Sequence, residues 1–415
     1  MPTTLDDTLT TTCCIVGGGP AGLMLGLLLA RAGIDVTVLE KHDDFLRDFR
    51  GDTIHPSTID LIDQLGLRTQ FDAIPHTEVV SLDAVVNGAR ATPTNFELLR
   101  HGNKRLALMP QWDFLELIAA AGRQLPHFHL HMGAEATALT RRDGKVVGVS
   151  ATTRSGELQI EADLTIAADG RGSRLRDASG LTGRDFGAPI DVLWFRLPRP
   201  EVNPPDTIVY IGKDSTAITI PREGYYQAAV LVHKGSFPEV QAAGLERFRD
   251  SIVAVVPFLA PVIHTLTSWE QIRLLSVKIN RLDTWHLEGF LAIGDAAHAM
   301  SPVFGVGVNY AIQDAVATAN ALVQPLRTRT VMRAHLAAIQ KRREKPAARM
   351  QRLQRFMHAV IARPGSGAHL PPAGLLRVLF PILTPLLQRI ASPMIGRGFL
   401  PERISEDVLH PMPAR

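Results

Sequence analysis

A polar dozen residues opens the chain, and the pattern then turns abruptly apolar. Cys13-Cys14-Ile15-Val16 runs into Gly17-Gly18-Gly19, after which apolar positions recur at helical spacing from Leu23 to Ala32. That order predicts a strand, a tight turn and a helix. Beyond Gly33 a second strand-like run, Ile34 to Leu39, ends in Glu40. Ser57 as N-cap, apolar positions at Ile59, Leu61, Ile62 and Leu65, and a stop at Gly66 predict another helix; Pro110-Gln111 opens one more, through Leu117 and Ala121. Residues 78–109 read as short strands and loops. The stretch 129–166 alternates as a β-meander, with turns at Asp143-Gly144 and Ser155-Gly156, and the apolar run Leu164 to Ala168 stops at Asp169-Gly170.

The texture changes between about 180 and 280. Runs rich in β-branched and aromatic residues (192–195, 207–211, 217–220 and 225–232) are separated by Gly, Pro and Asp, which predicts an antiparallel sheet forming a second domain. A returning strand, Phe290 to Ile293, then leads into Gly294-Asp295, and a helical pattern runs from Asn309 to Leu322. From about 330 the chain is rich in Leu, Arg and Pro and predicted helical.

The glycine turn carries the first chemistry. Gly17, Gly19 and Gly22 fit G-x-G-x-x-G in the strand–turn–helix context the motif requires. Gly17 permits the sharp turn, Gly19 lets backbone approach a pyrophosphate, and Gly22 lets the helix sit close on the strand. Pro20 and Ala21 open that helix, whose free N–H groups attract phosphates. Glu40, with Lys41 beside it, lies 18 positions beyond Gly22, where a carboxylate that accepts from an adenosine ribose is expected. The sequence therefore starts with a dinucleotide site.

Composition narrows the picture modestly. At 46% hydrophobic and 20% charged, the chain is ordinary for a globular enzyme; a formal charge of +3 argues against nucleic acid as partner. The two cysteines are neighbours in a strand and point to opposite faces, so they read as small buried residues in a reducing compartment. The first twelve residues lack the features of a secretory signal, and a cytoplasmic protein is expected. The most apolar C-terminal portion, Leu370 to Ile395, is interrupted by Arg377, Pro381, Pro385 and Arg389, so no membrane span is expected. Packing on the body, a dimer contact or a membrane-surface role remain as readings of it. The oligomeric expectation is a monomer or homodimer.

Two further segments sit where ligands of open α/β sheets collect, at strand C-terminal ends. Asp169-Gly170-Arg171-Gly172-Ser173-Arg174-Leu175-Arg176 follows one buried strand. Gly294-Asp295-Ala296-Ala297-His298, then Ser301-Pro302-Val303-Phe304-Gly305-Val306-Gly307-Val308-Asn309, follows another. An Asp after such a strand suits polyol hydroxyls, and glycines before a helix suit an electron-rich ligand.

In this order and spacing, the three segments resemble the class A FAD-dependent aromatic hydroxylases, the para-hydroxybenzoate hydroxylase-like flavoprotein monooxygenases. The resemblance spans roughly residues 10–330. It implies a Rossmann-like FAD-binding domain of glutathione reductase type (1–78, 110–180, 281–330), interleaved with a substrate domain (79–109, 181–280) and followed by a helical region (331–415). It implies non-covalent FAD. Gly17, Gly19 and Gly22 would meet the pyrophosphate and Glu40 the ribose. Asp295 would meet the ribityl and pyrophosphate portion, while Pro302, Gly305, Gly307, Val308 and Asn309 would line and position the ring. Arg50 and Gln111 would be additional FAD contacts, and Asp169 with Gly170 would serve FAD indirectly. Val306 departs from the Gln or Leu that many relatives carry. The implied reaction uses NAD(P)H and O2 to hydroxylate a phenolic or other electron-rich aromatic compound through a flavin C4a-hydroperoxide.

No second G-x-G-x-x-G reserves a separate nicotinamide domain, and no catalytic triad, carboxylate pair or metal set stands out. His298 reads either as a base or as a structural histidine in a demanding turn. Substrate-facing candidates are Trp194, Arg196, Tyr210, Arg222, Tyr225, Tyr226 and Phe304. Tyr225 and Tyr226 point to opposite faces of one strand, so only one of them can line a pocket. Two other functions compete: a flavin-dependent reductase or dehydrogenase on an apolar unsaturated substrate, and a catalytically silent FAD protein sequestering a hydrophobic ligand. A halogenase is disfavoured, because the four tryptophans are isolated.

Overall fold

The computed structural model describes residues 7–46, 53–201, 207–213, 215–361 and 370–410. Strand β1 (Asp7–Val16) passes through the glycine turn into α1 (Pro20–Arg31), and β2 (Val36–Glu40) returns beside it. Helix α2 (Pro56–Gln64) and the hairpin β3 (Ser81–Val86) and β4 (Ala89–Asn95) follow. Helix α3 (Gln111–Arg123) leads to β5 (Phe128–Met132), β6 (Glu135–Arg142), β7 (Lys145–Thr153) and β8 (Gly156–Ala167). Next come β9 (Ile190–Pro198), β10 (Thr207–Ile211), β11 (Thr216–Pro221), β12 (Tyr225–His233), helix α4 (Leu245–Val255) and β13 (Arg273–Ser276). The short strands β14 (His286–Leu287) and β15 (Phe290–Ala292) precede helices α5 (Gly307–Arg327), α6 (Arg333–Ile361) and α7 (Ala373–Gly396).

One sheet runs β14-β15-β8-β1-β2-β5, with β7 and β6 added outside β8. The pairs β15/β8, β8/β1, β1/β2 and β2/β5 are parallel, as strand–helix alternation demands. Every residue of β2 is buried, and α1 packs against α3 and α5. Strands covered on both faces read as continuous apolar runs, which is why this layer was visible in the sequence. Cys13 and Cys14 are buried and unbridged; burial pushes the Cys14 thiol up to about 12, so it stays protonated.

The second sheet runs β13-β9-β12-β11-β10-β3-β4. The pattern predicted it as antiparallel, but it is mixed. The hairpin from residues 81–95 joins through a parallel β10/β3 pairing, because it arrives from the other side of the chain. Strand β8 is long enough to pair with both β1 and β7. One further expectation is corrected. The region 180–280 also holds helices, Phe237–Ala242 and α4, whose apolar stripe (Phe248, Ile252) covers one face of the sheet. Helix α5 begins at Gly307, two residues before the predicted start.

By length and composition helix α7 is long and apolar enough to cross a membrane, although it carries Arg377 and Arg389. Its prolines 381, 385 and 393 all lie on the exposed side, where the carbonyls they leave unbonded reach water.

Candidate functional site

Three strand ends converge beside α1. Gly17, at the end of β1, has a φ of +112°, and a side chain there would strike the Ala168 carbonyl oxygen at 2.4 Å. A Cβ on Gly22 would meet the Gly17 carbonyl oxygen at 1.9 Å, so the helix packs on the turn with no room to spare. Gly19 is the opposite case: nothing lies within 4 Å of its would-be Cβ. Helix α1 starts there with no side-chain cap on its free N–H groups. Pro20 and Ala21 form its first turn. Glu40 is buried at the end of β2 and accepts from Gly18 N at 2.9 Å and His42 N at 3.0 Å, which fixes its carboxylate against the turn. Lys41 is exposed.

Asp169 follows β8 and accepts from Leu175 N at 3.3 Å in the first turn of the short helix Arg174–Ser179, whose N-cap is Ser173. Burial pushes its carboxyl above the ordinary range, against hydrogen bonds from Ser173 and the backbone that lower it. Gly170, at φ +85°, turns the chain so that Arg171 reaches Asp295 at 3.5 Å. Asp295 opens the helical turn Asp295–His298 after β15 and is partly accessible. Gly294 before it packs toward Ala21, so the first and third segments touch.

Asp314, about two turns into α5, is not singled out by the sequence and holds this arrangement together. Its Oδ2 accepts from Gly294 N (3.0 Å) and His298 Nε2 (2.6 Å), and its Oδ1 accepts from Arg343 Nε (2.9 Å). Burial alone would raise its carboxyl, but His298 and Arg343 hold it below the usual carboxylate range. His298 is buried against Trp285 and committed to Asp314, which places it in the structural role. Arg343 also donates to Glu402 Oε1 (3.1 Å) and to the Leu400 carbonyl oxygen (2.9 Å). The available signal was an acid inside the apolar run Ile312-Gln313-Asp314-Ala315-Val316.

The loop from Pro302 to Gly307 is held from both sides. Gln354 of α6 donates to the Ser301 and Val303 carbonyl oxygens (2.9 and 3.0 Å), and His358 meets Ser301 Oγ at 2.8 Å. On the other side the Gly305 carbonyl oxygen accepts from Thr53 Oγ1 (2.8 Å) and His55 Nε2 (3.0 Å). Gly305 adopts φ +64°, and Phe304 adopts φ +70°, a conformation costly for a bulky residue. Gly307 faces open space at the start of α5. Val308 is buried, and Asn309 Oδ1 is used by Ser57 Oγ (2.8 Å) and Thr58 Oγ1 (2.9 Å) of α2, so Asn309 ties two helices together. Gln111 sits half-buried at the first position of α3. Arg50 lies outside the described residues.

The second sheet turns one face to this loop. Trp194 of β9 belongs to the apolar cluster that contains Ile218, Ile220, Leu231, Leu275 and Phe304, and its Nε1 has no acceptor among the described residues. Arg196, two residues on, lies on the same face with its guanidinium 5.3 Å from the Tyr225 ring centre. Arg222 is buried and its charge acts on Asp113 of α3, whose carboxyl burial raises. Tyr226 and Tyr210 are instead packed in the opposite cluster with Phe248, and both contact Phe258. Strand alternation, set for Tyr226 by the β9/β12 register and for Tyr210 by its pairing with Ala217 of β11, turns them away from Phe304, against their candidacy.

His55 gives this arrangement a pH signature. It is wholly buried, and burial lowers its pKa from 6.5 to about 4, against the hydrogen bond to Gly305. The unfolded chain takes up a proton that the folded one refuses, so stability present above pH 6.5 is lost as pH falls toward 4. The expected loss is roughly 3 kcal/mol over that interval. Burial lowers His358 in the same direction. Urea unfolding across the interval checks this: His55→Asn should flatten the slope, and an equal slope in both proteins refutes it.

A family model described as an FAD binding domain matches residues 10–353. The chain belongs to this FAD-binding family. Its curated relatives include 6-methylpretetramide 4-monooxygenase of Streptomyces rimosus, 31% identical over 92% of each chain. Protoasukamycin 4-monooxygenase of Streptomyces nodosus subsp. asukaensis is 24% identical over 77% of this chain and 81% of its own. Among solved structures, the OxyS anhydrotetracycline hydroxylase of Streptomyces rimosus superposes with a TM-score of 0.74 at 22% identity, over 94% of this chain and 76% of its own. The p-nitrophenol 4-monooxygenase PnpA of Pseudomonas putida gives 0.74 at 19%, over 92% and 95%. At those identities the structures establish the Rossmann-like fold. The sequence relatives establish an FAD-dependent monooxygenase, an oxidoreductase.

Proposed function

We propose that this monooxygenase hydroxylates a multi-ring phenolic compound, of the kind named in its relatives 6-methylpretetramide 4-monooxygenase and anhydrotetracycline hydroxylase. The observation that carries the reading is the apolar face of Trp194, Ile218, Ile220 and Leu231, set against Phe304 of the loop between β15 and α5. Broad apolar walls with few polar groups suit a flat aromatic ligand.

The residues fit FAD. Space opens in front of Gly19 and Gly307, while Gly17 and Gly22 are closed against protein, as a cradle for backbone contact requires. Gly19 and the α1 N-terminus would meet the pyrophosphate, Glu40 the ribose, Asp295 the ribityl hydroxyls, and the Pro302–Asn309 segment the ring. Bound there, FAD supplies the passage of electrons from NAD(P)H and the activation of O2, for which no side chain is suited. The chain's own work is to orient the substrate ring, exclude water and hold the loop still. Tyr225, with Arg196 over it, is the polar handle on the sheet face.

Losing one charge-assisted hydrogen bond costs roughly 1.5–3 kcal/mol. Asp295→Ala is therefore expected to weaken FAD binding about ten- to a hundredfold while the fold survives. Unchanged flavin titration refutes that role. The function itself is tested by screening phenolic compounds for stimulation of NAD(P)H oxidation together with a product heavier by one oxygen. Stimulation without oxygen insertion for every aromatic compound overturns the reading. Tyr225→Phe should lower stimulated oxidation roughly two- to tenfold, or divert it to hydrogen peroxide, at unchanged FAD affinity. Loss of FAD binding in that variant would move Tyr225 into the cofactor site.

A further inference from the structure

We propose that the outward face of α7 is a lipid-docking surface, lying in the headgroup boundary of an anionic bilayer.

The helix is built inside out. Its sheltered positions include Thr384, Gln388 and Ser392, and the last two bond the edge strand of the second sheet. Gln388 Nε2 donates to the Thr92 carbonyl oxygen at 2.9 Å, and Ser392 Oγ accepts from Asn95 N at 2.9 Å. Helix α7 thus covers the unpaired edge of β4, the exposed rim of the sheet. Its apolar residues point the other way. Leu375, Val378, Ile382, Leu386 and Ile390 form one band, each between 49% and 70% exposed, with Leu383 and Leu387 on its flank. At about 1.5 Å per residue the band is roughly 22 Å long. A continuous apolar stripe of that size marks an interaction surface.

Charge selects the occupant. The charged residues of α7 are Arg377 and Arg389, with no Asp or Glu between 373 and 396. Arg389 falls between Val378 and Ile382 when the helix is viewed end-on, within the band itself. Residues 89–98, on which α7 packs, contribute Glu97 as their one acid, against Arg90. A second copy laid on this face would set arginine against arginine with no carboxylate on the helix to answer. An anionic lipid surface answers both features: acyl chains receive the leucines and isoleucines, and the arginines reach up to the headgroups.

The helix lies on the bilayer and does not cross it. A crossing would carry Thr384, Gln388 and Ser392 into hydrocarbon and strip Gln388 and Ser392 from β4. It would also pull Ile395 out of the cluster it shares with Trp194 and Phe96. With those contacts intact, only the outer half of the helix is available to lipid.

Flotation of the FAD-loaded full chain with phosphatidylcholine vesicles, with and without phosphatidylglycerol, tests the proposal. The protein should float with the anionic vesicles and at least about tenfold less with the neutral ones, and raised salt should weaken binding. The double variant Ile382→Asp/Leu386→Asp, changed only at exposed positions, should keep its FAD and lose at least about tenfold in vesicle binding. Arg389→Gln should narrow the preference for anionic vesicles. Three results overturn the proposal: no flotation with anionic vesicles, equal flotation of the double variant, or a wild-type dimer that the double variant dissociates in the absence of any vesicle binding. The last would assign the face to a second copy.

Discussion

Arg343→Met is expected to destabilise the protein by about 3–5 kcal/mol, the range for removing one partner from a buried ion network. The guanidinium is buried and bonds Asp314, Glu402 and the Leu400 carbonyl oxygen. Without it, among the described residues, Asp314 keeps His298 and the Gly294 N–H, and Glu402 keeps Arg342 as its cation. Denaturant unfolding measures the loss, and Arg343→Lys should restore part of it by returning charge without the fork. FAD affinity should fall too, because Asp314 holds the Gly294 N–H that sets the turn before Asp295. Stability within about 1 kcal/mol of wild type would show that the network does not govern the turn.

Two glycine substitutions separate what the protein needs from what the cofactor needs. Gly22→Ala puts a methyl group 1.9 Å from the Gly17 carbonyl oxygen, both backbone-fixed, so α1 must shift away from β1. The variant should lose at least about a hundredfold in FAD affinity, and its cofactor-free form should melt lower, since overpacking costs roughly 1–3 kcal/mol. Gly19→Ala meets nothing within 4 Å. Its cofactor-free form should melt like wild type, while FAD affinity still falls because the methyl group occupies space meant for phosphate. Calorimetry with and without FAD distinguishes the two. Equal cofactor-free stability in both variants would contradict the packing described for Gly22.

Most of what was legible in the sequence was local. The Gly17–Gly22 turn, Glu40 at a strand end and the Gly294-Asp295 segment each announce themselves within a few residues, because backbone conformation decides their identity. The parallel layer was legible through its unbroken apolar strands. What escaped was pairing across the chain. Nothing near Asp314 names Arg343 or Glu402 as partners, and nothing near Ser301 names Gln354 or His358. The β9/β12 register, which turns Tyr226 away from Phe304 and leaves Tyr225 on the other face, also depends on a partner strand. Helix α7 escaped for a different reason. Periodicity finds an apolar stripe without saying what it faces, which left packing on the body, a dimer contact and a membrane surface open; here it is the polar stripe that bonds the edge of β4.

The tether of Asp314 to Glu402 sets an order of events during synthesis. A ribosome delivers the glycine turn early, together with β1, α1 and β2. Asp314 leaves much later, Arg343 follows 29 residues after it, and Glu402 88 residues after it. At about 10 residues per second, roughly nine seconds of translation separate Asp314 from the last member of its network. With the contacts proposed above, the residues for the adenosine end emerge while the turn for the other end still lacks its support. Flavin captured before release from the ribosome would be held at one end only, and its fluorescence would record the moment the second end locks.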